Sequence, residues 1–323
     1  MSDRPLTEHD DRPHEHGGEH GWTESVSFTF SDPAIIGIVR ATWDPAAQHA
    51  DADLLIRLED GSLVRTAQRR TGVTPREPQI GGITITPIEP MQRWTLRFEV
   101  TGLIVATDAA GRMRASGRSV PVTGELEVRA LGAADGFATR RQTITEQRFA
   151  SIVSSGSFAQ PIAAVGELRI GERRLRLDAL GVRARSWGVR EVDPGDARVQ
   201  VAFDPTHAVW FERAILGDAE VAVAGSTGSI KVADQLDVQR ADDGTPTKLI
   251  LGGLSGEVVA ALIAEPGEPS DRLVLRCRNG ALEALGVAEI AVRDVVPVAA
   301  VTEPEPSAEP QGDEDAVADG QDA

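Results

Sequence analysis

The sequence predicts a nearly all-β protein, on three observations. Apolar residues recur with a period of two, turn-forming residues interrupt them at short intervals, and no long stretch carries the 3.6-residue stripe of an amphipathic helix. Short strands joined by tight turns build sandwiches or barrels, and the pattern alone does not separate the two. Closure into a barrel would remove the exposed edges that recruit other chains.

The elements follow in chain order. Val26, Phe28 and Phe30 alternate with Ser25, Ser27 and Thr29 before an Asp32-Pro33 break, and Leu54, Ile56 and Leu58 alternate before Asp60-Gly61. Trp94, Leu96, Phe98 and Val100 repeat the pattern, as do Leu168 with Ile170, Leu175 with Leu177, and Val199 and Val201 with Phe203. Turn signals stand at Ala110-Gly111, Asp135-Gly136, Gly171-Glu172, Asp193-Pro194-Gly195, Asp243-Gly244 and Asn279-Gly280. The last is the strongest hairpin signal, because Asn and Gly both tolerate positive φ. Residues 256–264 fit either a short helix or a buried strand.

At 323 residues the chain is long enough for two cores. The expected division is a disordered leader over 1–21, one domain over 22–155, a second over 156–301 and a disordered acidic tail over 302–323. The Ser/Gly-rich patch Ser154–Ser157 marks the middle boundary. The leader is rich in His, Asp, Glu, Pro and Gly and has almost nothing apolar to bury, so it is expected to be dispensable. The tail, with Pro304, Pro306 and Pro310 among carboxylates, is of the same kind.

Charge and composition restrict the partners. Of the net charge of −17, six acids against two arginines lie in 1–21 and eight acids with no base lie in 302–323, which leaves −5 between them. A concentrated basic surface for phosphates is missing from this balance, and no nucleic-acid partner is expected. No run of apolar residues is long enough to span a membrane, and the acidic, histidine-bearing start is unlike a secretory signal, so a cytoplasmic location is expected. Cys277 has no intrachain partner and alternates with Leu273 and Leu275, which reads as a small buried hydrophobe. His9, His14, His16 and His20 match no closed ligand spacing, and neither a metal nor a cofactor is expected.

The densest group of unusual side chains runs from Gly181 to Glu191. Its Arg183, Arg185, Trp187 and Arg190 are the ligand-binding candidates, since an indole and guanidiniums together offer apolar area and an anion anchor. If the segment is extended, Arg183, Arg185 and Trp187 share one face, with Ser186 and Arg190 on the other. Trp187 is expected to be buried against an arginine. Two readings stay open, a structural cluster closing a barrel end or a domain interface, and a wall facing a ligand. His207, after Asp204-Pro205-Thr206, has the position of a turn residue, yet it is the sole imidazole of the second domain and so the remaining candidate there. Ser186 lacks a nucleophile elbow, Gly81-Gly82 and Gly252-Gly253 lack the spacing and lysine of a phosphate loop, and no catalytic residue is assigned.

The run Arg183-Ala184-Arg185-Ser186-Trp187-Gly188 resembles the Arg-Asp-His-Ser-Trp-Gly or Arg-Asp-Arg-Ser-Trp-Gly motif of the carotenoid 1,2-hydratase (hydroxyneurosporene synthase) and attachment-protein-like superfamily. Ala159-Gln160, the Ser25–Asp32 strand, the Pro90–Phe98 strand with Trp94, and Gly286-x-x-Glu289 support the resemblance, which spans about 22–297. It implies two lipocalin-like antiparallel β-barrels packed side by side. It also implies activities such as water addition to an isoprenoid double bond and, in related folds, cyclisation of polyenes. In the hydratases the Asp and His of the motif are associated with that chemistry, and Ala184 and Arg185 stand in their places. Alanine offers no proton and arginine stays protonated, so the carotenoid reaction itself is not expected.

Three functional readings follow. The chain binds an elongated apolar molecule of isoprenoid, fatty acyl or polyketide type, with Trp187 as wall and an arginine on any carboxylate. Alternatively it is a cofactor-independent isomerase, cyclase or hydratase on such a molecule, or a structural or interaction protein without a ligand. The first two share the expectation of a cavity lined by the Gly181 to Arg190 segment.

Overall fold

The computed structural model describes residues 3–4, 6–14, 20–33, 35–72, 78–107, 113–144, 150–189, 197–216, 219–228, 230, 236–242, 244–262 and 270–291. The first sheet is built from β1 (Asp3–Arg4), β2 (Trp22–Ser31), β3 (Ile35–Asp44), β4 (His49–Leu58), β5 (Leu63–Thr71), β6 (Gln79–Ile80), β7 (Ile83–Glu89), β8 (Arg93–Thr107), β9 (Met113–Ala130), β10 (Asp135–Ile144), β11 (Ala150–Ile170) and β12 (Arg173–Val189). Every pairing is antiparallel, and eight of the strands form a ring: β11, β12, β2, β3, β4, β5, β8 and β9, with β9 returning to β11. Eight strands enclose a space that side chains can fill.

Two long strands let this ring carry extensions. One edge of β11 pairs with β9 over Ile162–Ile170 and with β10 over Ala150–Ala159. One edge of β8 pairs with β5 at Leu103–Val105 and with β7 nearer its start. Period-two alternation decides what faces inward. Val26, Phe28, Phe30, Leu54, Ile56, Trp94, Leu96, Phe98, Leu168 and Leu177 belong to one continuous core, each such side chain contributing roughly 1.5–3 kcal/mol on burial.

The second sheet has the order β15-β14-β13-β20-β19-β18-β17-β16, formed by β13 (Ala197–Asp204), β14 (His207–Leu216), β15 (Ala219–Ser226), β16 (Leu236–Arg240), β17 (Pro246–Leu251), β18 (Leu254–Leu262), β19 (Ser270–Asn279) and β20 (Leu282–Ala291). One face carries Val199, Val201, Phe211, Leu249, Leu273, Leu275 and Cys277. Burial there pushes the Cys277 thiol up to about 12, as expected of a small hydrophobe. The other face meets the outside of the barrel. Ile36, Ile38, Leu55 and Leu63 pack on Ala260, Val274 and Val287, and Val182 and Ala184 pack on Ala202, Ala208 and Trp210. Strands buried on both faces explain the unbroken apolar run Ile35-Ile36-Gly37-Ile38-Val39.

Several expectations change. The apolar segment beginning at Gly256 is a strand, β18, up to Leu262. Asp135-Gly136 opens β10 and makes no turn; its glycine serves the close pairing with β11, where a Cβ would strike the Ser157 carbonyl. The turns at Gly171, Gly244 and Gly280 do adopt positive φ, 59°, 82° and 59°. The division anticipated at 155/156 falls inside β11, and the change of sheet comes between Val189 and Ala197. The tail 302–323, Ala110-Gly111 and Asp193-Pro194-Gly195 lie outside the described residues. Among the described residues no helix is long and apolar enough to cross a membrane.

The leader is the largest correction. Residues 6–14 hold a 3-10 turn, Glu8–Asp11, and bury Asp10, Asp11 and His14. A segment without hydrophobic period docks here because it buries charge against charge, a mode that apolar periodicity does not register.

Candidate functional site

β12 delivers different side chains to its two faces. Val182, Ala184 and Ser186 point at the second sheet or its border, where the Ser186 hydroxyl lies 2.8 Å from that of Ser25. Arg183, Arg185 and Trp187 share the opposite face, at one end of the barrel interior, as the extended reading of this segment requires. Gly181 permits the close pairing with β2, since a Cβ there would collide with the Thr29 carbonyl. Gly188, at φ +127°, would press a Cβ to 2.7 Å from Ser155 Oγ.

Arg183 has no exposed surface. Its guanidinium carbon lies 4.3 Å from the centre of the Trp94 ring, 5.1 Å from Phe158 and 5.8 Å from Phe28, an aromatic wall that suits a cation. Trp187 is likewise fully buried, and the ring stacked on it is His14, 4.0 Å away and 8° from parallel. The arginine-on-indole contact thus falls to Arg183 and Trp94.

The counter-charges come from β2 and from the N-terminal segment. Thr7 shapes the segment by donating its backbone N–H and its hydroxyl to Asp10 Oδ2, at 2.7 and 3.1 Å. Asp11 then reaches into the barrel end. Its carboxylate accepts from Arg183 Nη2, from the Met91 N–H at 2.7 Å and from Trp94 Nε1 at 3.2 Å. Met91 makes its donation from the left-handed region, φ 59°, which a side-chain-bearing residue occupies at a cost of about 1–2 kcal/mol. Glu24, on the inward face of β2, accepts from Arg185 Nη2 and from the His14 backbone at 3.2 Å, and its Oε1 lies 2.9 Å from His14 Nδ1.

This crowding sets the protonation. Burial, and then the like charge of Arg185, push the Arg183 guanidinium well below its ordinary range. Burial also lowers His14, outweighing the Glu24 carboxylate that favours its cation. Burial alone would raise Glu24, but Arg185 and the His14 hydrogen bond prevail and hold it below the usual carboxylate range. Several buried polar atoms here are without a hydrogen-bond partner: Arg183 Nε and Nη1, Arg185 Nε, His14 Nε2 and Gln160 Oε1.

A cavity of ≈ 480 Å³ adjoins the cluster, lined by Leu6, Thr7 and Glu8 of the segment together with Met91, Ala130 and Gln160. Gln160 stands directly opposite Arg183 in the β11–β12 register. A larger hollow of ≈ 900 Å³ lies beside the polar residues Arg97, Glu99, Glu125 and Glu167. Neither touches Arg183, Arg185, Trp187 or His207. The wall expected from Gly181 to Arg190 is covered instead by the N-terminal segment.

The remaining candidates separate. Arg190 lies outside the described residues. His207 starts β14, where its backbone N–H and ring Nδ1 lie 2.9 and 3.0 Å from Asp204 Oδ1, with Thr206 beside it, a turn far from the arginines in partner set and in sheet. Asp11, His14 and Glu24 are the residues that sequence reasoning missed. In the sequence Glu24 shows only as a carboxylate on the same parity as Val26 and Phe28, and His14 only as one of four leader histidines with no closed ligand spacing.

A family profile described as a domain of unknown function matches residues 7–251. The chain belongs to the DUF7064 family. The DUF7064 match begins at Thr7, so Asp11 and His14 lie inside the family's domain. No curated protein matches the chain by sequence. Among solved structures, the AttH-type protein of Nitrosomonas europaea shares 11% identity over 88% of this chain and 98% of its own, at a TM-score of 0.51. Kievitone hydratase from Nectria haematococca shares 10% over 88% and 92%, at 0.53. At these identities the likeness is one of fold. The expectation of two lipocalin-like antiparallel β-barrels packed side by side holds at the level of fold, as two antiparallel sheets packed together, the first closed as a ring of eight strands.

Proposed function

We propose that the barrel end around Arg183 binds an elongated apolar small molecule through a carboxylate on that molecule. The observation that carries this reading is a fully buried guanidinium, walled by Trp94, Phe158 and Phe28, with two nitrogens unpartnered. Buried polar atoms are nearly always paired, and a desolvated cation against aromatic faces suits an anion on an apolar body. The adjoining ≈ 480 Å³ falls within the size range of small-molecule sites. Native mass spectrometry of the protein purified from its own host tests the reading. An apolar acid should be retained, and Trp187→Ala should weaken retention far more than Trp43→Ala, whose indole sits in the main core. Equal effects, or nothing retained, would contradict it.

A second reading rests on His14. With Nδ1 on Glu24 and Nε2 without a hydrogen-bond partner, it has the arrangement of a carboxylate-oriented imidazole base. Burial keeps it neutral, the form that accepts a proton. A hydratase, cyclase or isomerase step on the same class of molecule would use it, and kievitone hydratase carries a hydratase name on a similar fold. If so, His14→Gln should abolish incorporation of labelled water into a polyene acid supplied at saturating concentration. Unchanged incorporation would exclude the role.

A further inference from the structure

We infer that residues 6–14 act as a tethered pseudo-ligand: Asp11 occupies the carboxylate position that an apolar acid takes, so the segment and the acid exclude one another. This rests on the binding reading above and specifies both the ligand's head group and the regulation of the site.

The barrel supplies a complete receptor for one carboxylate. Arg183 Nη2, the Met91 N–H and Trp94 Nε1 converge on Asp11 from three strands or turns of the barrel. The receptor therefore belongs to the scaffold, whereas its occupant belongs to the chain terminus. The recorded backbone hydrogen bonds within residues 6–13 close inside the segment, Asp10 to Thr7 at 2.9 Å and Arg12 to His9 at 3.1 Å. Its attachments to the barrel are Asp11 as described, the His14 ring on Trp187 and Glu24, the His14 backbone N–H on Glu24, and Leu6 packed beside Met91, Phe158 and Trp187. A segment held through a carboxylate and an imidazole is exchangeable for a free molecule that presents the same groups. β1 pairs with β10 through two residues and provides a tether on the far side.

The geometry next to Asp11 explains why exchange would create space for a tail. Leu6, Thr7 and Glu8 form one side of the ≈ 480 Å³ cavity, so their departure joins that cavity to the aromatic wall of Trp94, Phe158 and Trp187. Arg183 Nε and Nη1, Arg185 Nε and Gln160 Oε1 have no hydrogen-bond partner, while Asp11 takes Arg183 Nη2 and lies 3.7 Å from Arg185 Nη1. A free carboxylate is not held by a backbone and can turn to meet a guanidinium side-on with two bonds.

When an internal occupant competes, the apparent affinity falls by the fraction of molecules in which the site is open. The test uses cis-parinaric acid, a polyene carboxylate that fluoresces in apolar sites, and its methyl ester, with the full chain and with Asp11→Asn. Asp11→Asn should bind the acid about tenfold or more tightly than the wild type, with the ester unaffected. In the wild-type chain, excess acid should raise hydrogen exchange at residues 6–14, a readout that stands if the variant folds poorly. Equal affinity of both chains for the acid, with exchange at 6–14 unchanged, would overturn the competition while leaving the binding site in place. Failure of both chains to bind the acid would overturn the site and the competition together.

Discussion

Two networks of buried charge lie in this protein, and they are built differently. Between the barrel and the second sheet, Arg40 and Arg272 meet Glu289, Arg272 also meets Asp53, and Arg198 reaches Glu212 at 2.8 Å and Glu289 at 3.7 Å. All of these residues sit on strands, and their side chains keep 10 to 20% of their surface. At the barrel end Arg183 is wholly enclosed, and its carboxylate partner Asp11 comes from a segment outside any sheet. Both networks leave a guanidinium Nε without a hydrogen-bond partner, at Arg198 as at Arg183 and Arg185, so spare donors alone do not distinguish them. Enclosure by aromatic rings and dependence on a detachable partner do. The first network joins two sheets strand to strand; the second joins the barrel to a segment outside any sheet, and in the reading proposed above it is a receptor whose occupant changes.

The comparison breaks most plainly under single substitution. Arg183→Leu takes from buried Asp11 its nearest cation, leaving it Arg185 at 3.7 Å and the Met91 and Trp94 N–H groups, and should lose about 3 kcal/mol in urea unfolding. Arg272→Leu, in a network that water reaches and that other arginines can re-cover, should lose about 1 kcal/mol. Equal losses would erase the distinction. Truncation sharpens the same point. Deleting residues 1–14 uncovers Arg183 and should lower the melting temperature by roughly 5 °C or more, on the scale of 2–4 °C per kcal/mol for a chain of this size.

Acid should loosen the barrel end next. His14 lies below its ordinary 6.5 when docked, so the undocked form binds more protons, and docking is strongest above 6.5 and weakens as pH falls below it. Glu24, below its ordinary 4.5, adds a second loss of the same sign as pH falls below that value. Protection of residues 6–14 from hydrogen exchange, taken relative to the intrinsic rate at each pH, should therefore fall between pH 7 and pH 5 before global unfolding, and His14→Gln should flatten the upper part of that profile. A flat wild-type profile would show that docking does not depend on the His14–Glu24 pair. The smallest effect is expected at the other terminus: deleting residues 302–323 should move the melting temperature by no more than about 2 °C. A larger shift would show that the tail docks as the leader does.

How much of this was legible in the sequence follows from what each part is made of. The strands of the barrel were readable because Val26, Phe28 and Phe30, or Trp94, Leu96 and Phe98, repeat at the period of a pleat and pack inward. The arginine–tryptophan segment was readable because extended backbone alone puts Arg183, Arg185 and Trp187 on one side. The division at 155/156 was not, since a strand as long as Ala150–Ile170 can serve two partners along one edge without any local signal. The docking of Asp11 and His14 was invisible for a deeper reason. Their partners Arg183, Trp187 and Met91 lie far along the chain, and a salt bridge has no periodicity from which its burial can be inferred. Polar composition predicts disorder only when no complementary charge is waiting inside the fold.

In the binding reading proposed above, Arg183 anchors the carboxylate of the ligand. Calorimetric titration of cis-parinaric acid into Asp11→Asn and into the double variant Asp11→Asn/Arg183→Gln tests it most directly, because the double variant removes both buried charges and so keeps the fold from carrying an unpaired one. Binding to the single variant and at least about a tenfold loss in the double variant are expected, with the methyl ester indifferent to the second substitution. Equal affinity of the two variants for the acid would contradict it.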